Sequence, residues 1–288
     1  NASAGEVAFD QVRLAASGRL SALAVSLEAA GAAGDVDVAA GASAELDLGG
    51  DATSLEITQA EAAYGQESFA LMAPLIIRIG GDATRFEELA LSLPGGALSG
   101  SAALFSDGVA GDLSLRMREL SLFNRLDLAP IESGSLTAEA TFDTRPQSAA
   151  ATLRARSDGV SFETAVDEGA IALDAQVDWD GRRATALASL MGPFGEPLRL
   201  SGSAPLIARG GLLPTMPENA ALEGGIRWTG DVGDLWVLVP APDHVLDGAL
   251  DVDLRLFGSI DAPQLSGDLA LRQGRYENLE LGLILTDV

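Results

Sequence analysis

Apolar and polar residues alternate strictly over several stretches of the chain, and this alternation is its strongest signal. From Leu250 to Leu256 every second residue is Leu or Val, and the residues between them are Asp or Arg. A period of two places the apolar side chains on one face of a β-strand, whereas a helix would mix them with the charged ones. The pattern therefore predicts a half-buried strand.

Four further stretches show the same alternation. They cover residues 113–117, 136–142, 171–179 and 279–285, and the last also carries Ile284 on its polar face. Glycine-led phrases such as S-G-S-A-A-L and S-G-D-L-A-L recur between strands at a loose spacing, which is typical of a stacked sheet and not of a strict solenoid. We predict an all-β chain.

A few segments interrupt this rhythm. Glu119–Leu128 and Asp234–Val239 are compatible with short helical turns, and their flanks lack the alternation. Gly and Pro predict loops at Met191–Pro197 and Gly210–Pro217. The phrase G-G-D-A-T, which occurs at residues 49–53 and again at 80–84, predicts hairpin turns in which Gly supplies the unusual backbone angles.

Hydrophobic residues make up 47% of the chain but aromatic residues only 5%. A compact core usually needs large side chains to fill its volume, because unfilled space is destabilising. Two interpretations of the apolar face stay open. It can be the sealed core of a β-sandwich, or an open face that receives acyl chains, where about sixteen CH₂ groups would gain roughly 12 kcal/mol.

The formal net charge of −24 comes from 42 acidic and 18 basic residues, and every basic residue is Arg. Such a surface repels phosphate backbones, so we expect no nucleic acid partner. Flat adsorption onto an anionic bilayer is disfavoured for the same reason. The charge is typical of a β protein that must keep much apolar surface in solution.

Reactive side chains are scarce. The chain has no Cys and no Lys, and His244 is its only histidine. These absences exclude thiolate metal sites, a Cys nucleophile and a P-loop, and no G-x-S-x-G elbow accompanies the histidine. Pairs such as Asp251 and Asp253 are expected to face solvent. We predict a protein that is not an enzyme, with no cofactor and no metal.

The last part of the chain resembles a known family. Residues 222–288 contain G-S-I-D-A-P-Q-L-S-G-D-L-A-L around Pro263, and P-L-R-L-S-G-S-A-P-L occurs at Pro197–Leu206. These phrases are similar to the TamB family, the component of the translocation and assembly module that is anchored in the inner membrane. Phe86–Leu128 resembles the family in rhythm, and residues 222–288 resemble it best.

The resemblance implies a β-taco, an elongated U-shaped sheet with an apolar groove, of the AsmA-like superfamily of bridge-like lipid carriers. It implies a periplasmic protein that conducts phospholipid between the inner and outer membranes. It also implies a TamA-like outer-membrane barrel as partner, and an inner-membrane anchor, both engaged through regions outside this chain. We expect residues 1–288 to be one continuous β-taco segment of a longer protein, because the chain opens without Met and stops in a predicted strand.

Three functions follow from these observations. The first is a lipid carrier that binds phospholipid acyl chains, the second is a folding factor that pairs its strand edge with outer-membrane polypeptides, and the third is a closed β-sandwich structural or adhesin module. For the first, the alternation predicts that the groove is lined by one set of apolar residues. They are Leu113, Leu115, Met117, Leu136, Ala138, Phe142, Ile171, Leu173, Val177, Leu250, Val252, Leu254, Leu256, Leu269, Leu271, Leu279, Leu281 and Leu283.

Overall fold

A computed structural model describes residues 2–4, 7–19, 21–49, 53–126, 128–162, 170–236 and 243–286. The chain is nearly all β, with antiparallel strands and two short helices, and the prediction of an all-β fold with few helical turns is confirmed. Contacts divide the chain into two units. Unit 1 comprises Asn1–Met117, Glu139–Gln147 and Gly210–Leu212, and unit 2 comprises Arg118–Ala138, Ser148–Arg209 and Leu213–Val288.

Unit 1 holds ten strands and the second part of an eleventh. The strands are β1 (Ala2–Ala4), β2 (Val7–Arg19), β3 (Ala22–Ala33), β4 (Val36–Asp47), β5 (Thr53–Tyr64), β6 (Glu67–Leu71), β7 (Leu75–Gly80), β8 (Ala83–Leu93), β9 (Gly96–Phe105), β10 (Gly108–Met117) and β11 (Ile131–Asp143), which continues from unit 2. Most of these strands pair with their neighbours in sequence, and β5 pairs with both β6 and β7.

Unit 2 contains the remaining elements. They are α1 (Leu122–Arg125), the first part of β11, β12 (Ala150–Phe162), β13 (Ile171–Trp179), β14 (Arg183–Met191), β15 (Leu198–Pro205), β16 (Ala221–Asp231), α2 (Val232–Trp236), β17 (His244–Ser259), β18 (Ala262–Asn278) and β19 (Leu283–Thr286). From β12 to β19 each strand pairs antiparallel with the next, so unit 2 contains an up-and-down meander.

Most of the predicted elements are present. The alternating stretches at 113–117, 136–142, 171–179 and 250–256 lie in β10, β11, β13 and β17. The two predicted helical turns correspond to α1 and α2, and residues 237–239 of the second lie outside the described residues. The predicted loops after β14 and after β15 are also present.

The structure describes the second of the two predicted glycine turns in full and only part of the first. Gly81 joins β7 to β8 with a left-handed φ of 61°, so the second G-G-D-A-T phrase forms the predicted turn. Left-handed backbone is sterically costly for residues with a Cβ, which explains the glycine. The first phrase falls largely on residues 50–52, outside the described residues.

One predicted strand is wrong in its first half. Leu279 and Leu281 lie in a turn between β18 and β19, and only residues 283–286 form a strand. The Asn278 side-chain carbonyl accepts a 2.8 Å hydrogen bond from the Leu281 amide, and Gly282 has a φ of 62°. An Asn side chain that binds the backbone ahead of it and a left-handed Gly together stabilise a turn, and they override the alternation of leucines.

The chain has a large solvent-accessible surface for its length. The accessible area is 17598 Å², whereas a compact monomer of the same length exposes roughly 11,500 Å². None of the helices in the described residues is long and apolar enough to cross a membrane.

Candidate functional site

The cross-strand register of unit 2 collects aliphatic residues on one face of the sheet. Residues directly opposite each other in an antiparallel pair project to the same side. One row of opposite residues crosses seven strands from β12 to β18. It consists of Ala155, Ala175, Ala188, Leu200, Ile226, Leu254 and Gly267.

A second aliphatic row lies beside the first, two residues along each strand. It consists of Leu153, Val177, Ala186, Gly202, Gly224, Leu256 and Leu265. We call these two rows the apolar track. Neither row contains a charged residue, and the strands in between are spaced about 4.8 Å apart, so the track runs for about 29 Å across the strands.

One side of the apolar track is covered by a small aromatic core. Ile171, Phe194 and Trp228 form a buried cluster, in which Phe194 is 1% and Trp228 is 2% exposed. Phe194 comes from the loop after β14, and Leu235 of α2 packs against the same cluster. The loop and the helix therefore cover the same ends of the strands from β13 to β17, near Ile171 and Trp228.

Close backbone approach makes this cover possible. A Cβ placed on Gly230 would lie 2.5 Å from Cζ2 of Trp228 and 2.9 Å from the carbonyl oxygen of Phe194. Both distances are shorter than real side chains allow, so only glycine leaves room for the indole and the loop. The indole Nε1 then donates a hydrogen bond of 3.0 Å to the Glu196 carbonyl.

The other side of the apolar track is bordered by a second tryptophan. Trp179 lies at the far end of β13, and its register partner is Ala184 on β14. It is buried, and its Nε1 donates a 2.7 Å hydrogen bond to the carbonyl of Leu206 in the long segment after β15. A buried tryptophan usually finds such a partner for its N–H. Both sides of the track thus have an indole held in place by a loop carbonyl.

Between these covered sides the apolar track is open to solvent. Leu200 is 37% exposed, Ile226 is 39% exposed and Leu265 is 67% exposed. A Cβ placed on Gly202 would meet no atom within 4 Å, so space lies above the track at this position. Contiguous exposed aliphatic surface is typical of a binding face.

Unit 1 has an aliphatic face of its own. Its register places apolar residues opposite each other on β2 to β10, and Ala dominates on β4. Members of this face are Leu14, Leu27, Ala42, Ala44, Ala60, Ile57, Leu55, Ile77, Phe86, Leu91, Leu98 and Leu115. Leu14 is exposed, so part of this face is also uncovered.

The structure places the predicted groove residues of unit 1 on this aliphatic face. Leu113 and Leu115 lie opposite Gly100 and Leu98 and are half-buried, and Met117 is buried. Phe142 lies close to the same face, because a Cβ on Gly111 would be 3.1 Å from its Cζ.

In unit 2 the predicted groove residues fall into two groups around the apolar track. Leu254 and Leu256 belong to the track itself, and Val177 lies in its second row. Others are beside it or under the aromatic cover: Ile171 is buried in the cluster, Leu250 and Val252 pack against it, Leu173 pairs with Leu190, and Leu269 and Leu271 pair with Val252 and Leu250.

Five further predicted residues lie outside the two rows that define the apolar track. Leu136 and Ala138 lie on β11, half-buried, and alternate with exposed Thr137 and a following Glu. Leu279 and Leu281 are in the turn after β18 and are exposed. Leu283 is the first residue of β19 and lies opposite Asn278.

Sequence reasoning missed several residues that shape the apolar track. Leu200 and Ile226 are central to it, and their neighbours L-R-L-S-G and G-I-R-W carry short alternations that could have revealed them. Phe194 was not predicted to cover the face, since no local pattern tells where a loop side chain packs. Trp228 was missed for the same reason.

The opposite face of unit 2 is polar. Arg156 and Asp174 form an ion pair at 2.8 Å, and Arg227 and Asp253 form another at 3.0 Å, all of them well exposed. Exposed pairs of this kind contribute little to stability. The described residues contain no group of three or more His, Cys, Asp or Glu placed to hold a metal ion. His244 Nδ1 lies 2.7 Å from the Tyr276 hydroxyl, and the two rings stack.

No family model, no curated protein and no solved structure matches this chain.

Proposed function

We propose that this chain is a carrier that binds phospholipid acyl chains on the apolar track. The observation that supports this proposal most is the register of β12 to β18, which aligns fourteen aliphatic or glycine positions on one face between two tryptophan-bordered sides. The exposure of Leu200 and Ile226 supports the same proposal, since a sealed sandwich core would bury them.

Energetics favour an aliphatic guest. Burial of a CH₂ group is worth about 0.8 kcal/mol, so about sixteen of them contribute roughly 12 kcal/mol before the costs of binding. The track of about 29 Å is close to the hydrocarbon thickness of a bilayer, about 30 Å, and thus exceeds the length of one leaflet's acyl chains. No polar side chain interrupts the two rows, so a chain can slide along them and no single position anchors it.

The resemblance to the TamB family supports the setting of the proposal. On this resemblance we propose that the carrier acts in the periplasm, between the inner and outer membranes, with an inner-membrane anchor and a TamA-like barrel engaged through regions outside this chain. On this proposal the chain conducts lipid and catalyses no reaction.

A second candidate function rests on one edge of unit 2. β19 pairs only with Arg275–Asn278 of β18, and in the described residues no strand pairs with the rest of that edge, from Ala262 to Gly274. An unpaired edge is a template for an added strand. A folding factor that receives outer-membrane polypeptides would use this edge and not the apolar track.

Native mass spectrometry of the purified chain, mixed with phospholipid, tests the first proposal. Leu200→Arg puts a charge on the apolar track, and we expect at least a tenfold loss of bound lipid, because a guanidinium in contact with an acyl chain loses its hydration. Phe257→Arg is the matched control, since Phe257 lies on the polar face, opposite Glu223, and is 41% exposed. Equal lipid binding by both variants and the parent chain would overturn the proposal.

Photo-crosslinking separates the second candidate from the first. A crosslinker at Gln264, on the free edge of β18, should capture an unfolded outer-membrane polypeptide if this edge receives strands. If no crosslink forms at Gln264 while the parent chain binds lipid, the folding-factor function is wrong.

A further inference from the structure

A depression lies on the polar face of unit 2, opposite the apolar track. It has a volume of about 750 Å³. Its lining includes Leu187, Arg199, Ser201, Gly225, Arg227 and Arg255, the carboxylates Asp174 and Asp253, and also Leu200, Ile226 and Leu254 of the apolar track. The register confirms the face, because Leu187 lies opposite Ser201, and Ser201 lies opposite Gly225. We call this feature the arginine depression.

Small residues create the floor of the arginine depression. Gly225 has no side chain, and a Cβ there would come within 3.2 Å of the Ser201 hydroxyl. Ser201 therefore occupies part of the space above Gly225, and its hydroxyl is a donor at the floor. The longer side chains around these two positions rise above them and leave a hollow that a small group can enter.

Three arginines converge on this hollow from three neighbouring strands. Arg199 on β15 lies directly opposite Arg227 on β16, and Arg255 on β17 lies opposite Gly225. Arg227 is paired with Asp253 at 3.0 Å. In the part of the chain that the structure describes, Arg199 and Arg255 have no ion pair and no side-chain hydrogen bond.

Arginines without a carboxylate partner are unexpected in so acidic a chain. The net charge is −24, with more than two acidic residues for each arginine, so carboxylates are abundant enough to pair with every arginine. Like charges directly opposite each other on adjacent strands are destabilising. An anion between Arg199 and Arg227 would remove that repulsion, and guanidinium groups bind the oxygens of phosphate in bidentate fashion.

We propose that the arginine depression is a binding site for a phosphate group, held by Arg199, Arg227 and Arg255 with the Ser201 hydroxyl at its floor. The three arginines and Ser201 lie on the face opposite the apolar track, so the groups that hold the phosphate are not those proposed to carry lipid. Leu187 and Met191 line the same hollow and are exposed, so a phosphate that carries an apolar substituent gains further contact there.

Isothermal titration of the whole chain at low salt tests the site with two probes. The first is inorganic phosphate, and the second is a short-chain phosphatidic acid below its micelle-forming concentration. We expect both to bind, because they share the phosphate group. Tighter binding of the phosphatidic acid that is lost in Arg199→Gln and kept in Gly202→Phe assigns the site to a phospholipid headgroup. Binding of the phosphatidic acid no tighter than that of phosphate assigns the site to free phosphate. Absence of heat with both probes overturns the proposal.

Arginine variants test whether phosphate binds in the arginine depression. Arg199→Gln and Arg255→Gln break no ion pair, and each should weaken phosphate binding at least fivefold. Arg154→Gln is the matched control, because Arg154 is an exposed arginine on the same face, opposite Gln176 on β13, and outside the depression. If all three variants weaken binding equally, the attraction is a general surface charge effect and the proposal is wrong.

One variant keeps this test distinct from that of the lipid carrier. Gly202→Phe obstructs the apolar track, lies outside the lining of the arginine depression and should leave the affinity for inorganic phosphate within twofold of the parent chain. A folded Gly202→Phe chain that lost phosphate binding would contradict the separation of the two sites. Circular dichroism of each variant confirms that the sheet is intact before titration.

Discussion

The indole Nε1 of Trp228 donates a hydrogen bond of 3.0 Å to the backbone carbonyl of Glu196. This bond ties β16 to the loop that follows β14, two strands away. Phe194, in the same loop, is held against the indole. One side of the aliphatic face is therefore closed by a specific contact, while the centre of the face stays open.

Truncation of this indole should be strongly destabilising. We expect Trp228→Ala to lower the free energy of unfolding by about 3–5 kcal/mol, since it removes a large buried side chain and leaves a cavity. Trp228→Phe retains most of the apolar contact and loses the hydrogen bond, which is worth about 1 kcal/mol. Urea denaturation measures both. Leu213→Ala, at an exposed position, is the control, and a cost for Trp228→Ala no larger than the control's would contradict the buried cluster.

A larger side chain at Gly202 should obstruct the apolar track without unfolding the sheet. A Cβ at this position meets no atom within 4 Å, and its backbone is not left-handed. Gly202→Phe should therefore reduce bound phospholipid severalfold and change stability by less than about 1 kcal/mol. Ser203→Phe puts the same ring on the opposite face of the same strand, outside the arginine depression, and should leave lipid binding unchanged. Native mass spectrometry compares the two.

Gly267 should behave in the opposite way to Gly202. It lies in the same face of the sheet, but its φ is 138°, and a Cβ there would overlap the carbonyl oxygen of Asp253. We expect Gly267→Ala to lower the free energy of unfolding by about 1–3 kcal/mol, whereas Gly202→Ala should be nearly neutral. Denaturation of the two variants side by side is the measurement, and equal stability would show that the backbone at Gly267 is not strained.

Acid should weaken the turn between β13 and β14 through Asp180. Its carboxylate accepts hydrogen bonds from the backbone amides of Arg183 at 2.7 Å and Arg182 at 2.9 Å, and these lower its pKa below the usual 3.8. Because the folded pKa is lower than the unfolded one, the carboxylate stabilises the fold above about pH 3.8, and this contribution is lost as the pH falls through the lowered pKa.

Asp180→Asn should therefore make the acid limb of the stability profile less steep, since the amide does not titrate. Denaturation midpoints between pH 5 and pH 2 give this slope. Asp158→Asn is a control at an exposed aspartate of the same unit. An unchanged acid limb in Asp180→Asn would contradict the role of the turn carboxylate.

The strands were predictable because their signal is local. Alternation at 250–256 and 171–179 depends only on which face of a strand is covered, and the neighbouring residues suffice to reveal it. The same reasoning failed at Leu279 and Leu281, where Asn278 and Gly282 bracket a turn. The turn residues were visible in the sequence, and their weight was underestimated.

The candidate sites were less predictable because they depend on register. Leu200 and Ile226 become neighbours only through the pairing of β15 with β16, and the same pairing brings Arg199 opposite Arg227. No pattern within one strand determines which residue of the next strand lies beside it. The cover by Phe194 was hidden for a similar reason, since a loop's packing depends on tertiary contacts.

The tight connection of β17 to β18 through Ile260 and Asp261 has a consequence for how such a face can grow. A hairpin reverses the chain direction and keeps its leucines on the same face of the sheet. Each added pair of strands therefore lengthens the aliphatic surface by about 9.6 Å. The reach of such a protein can thus change in whole hairpins, by duplication or deletion, and every intermediate length keeps a continuous path.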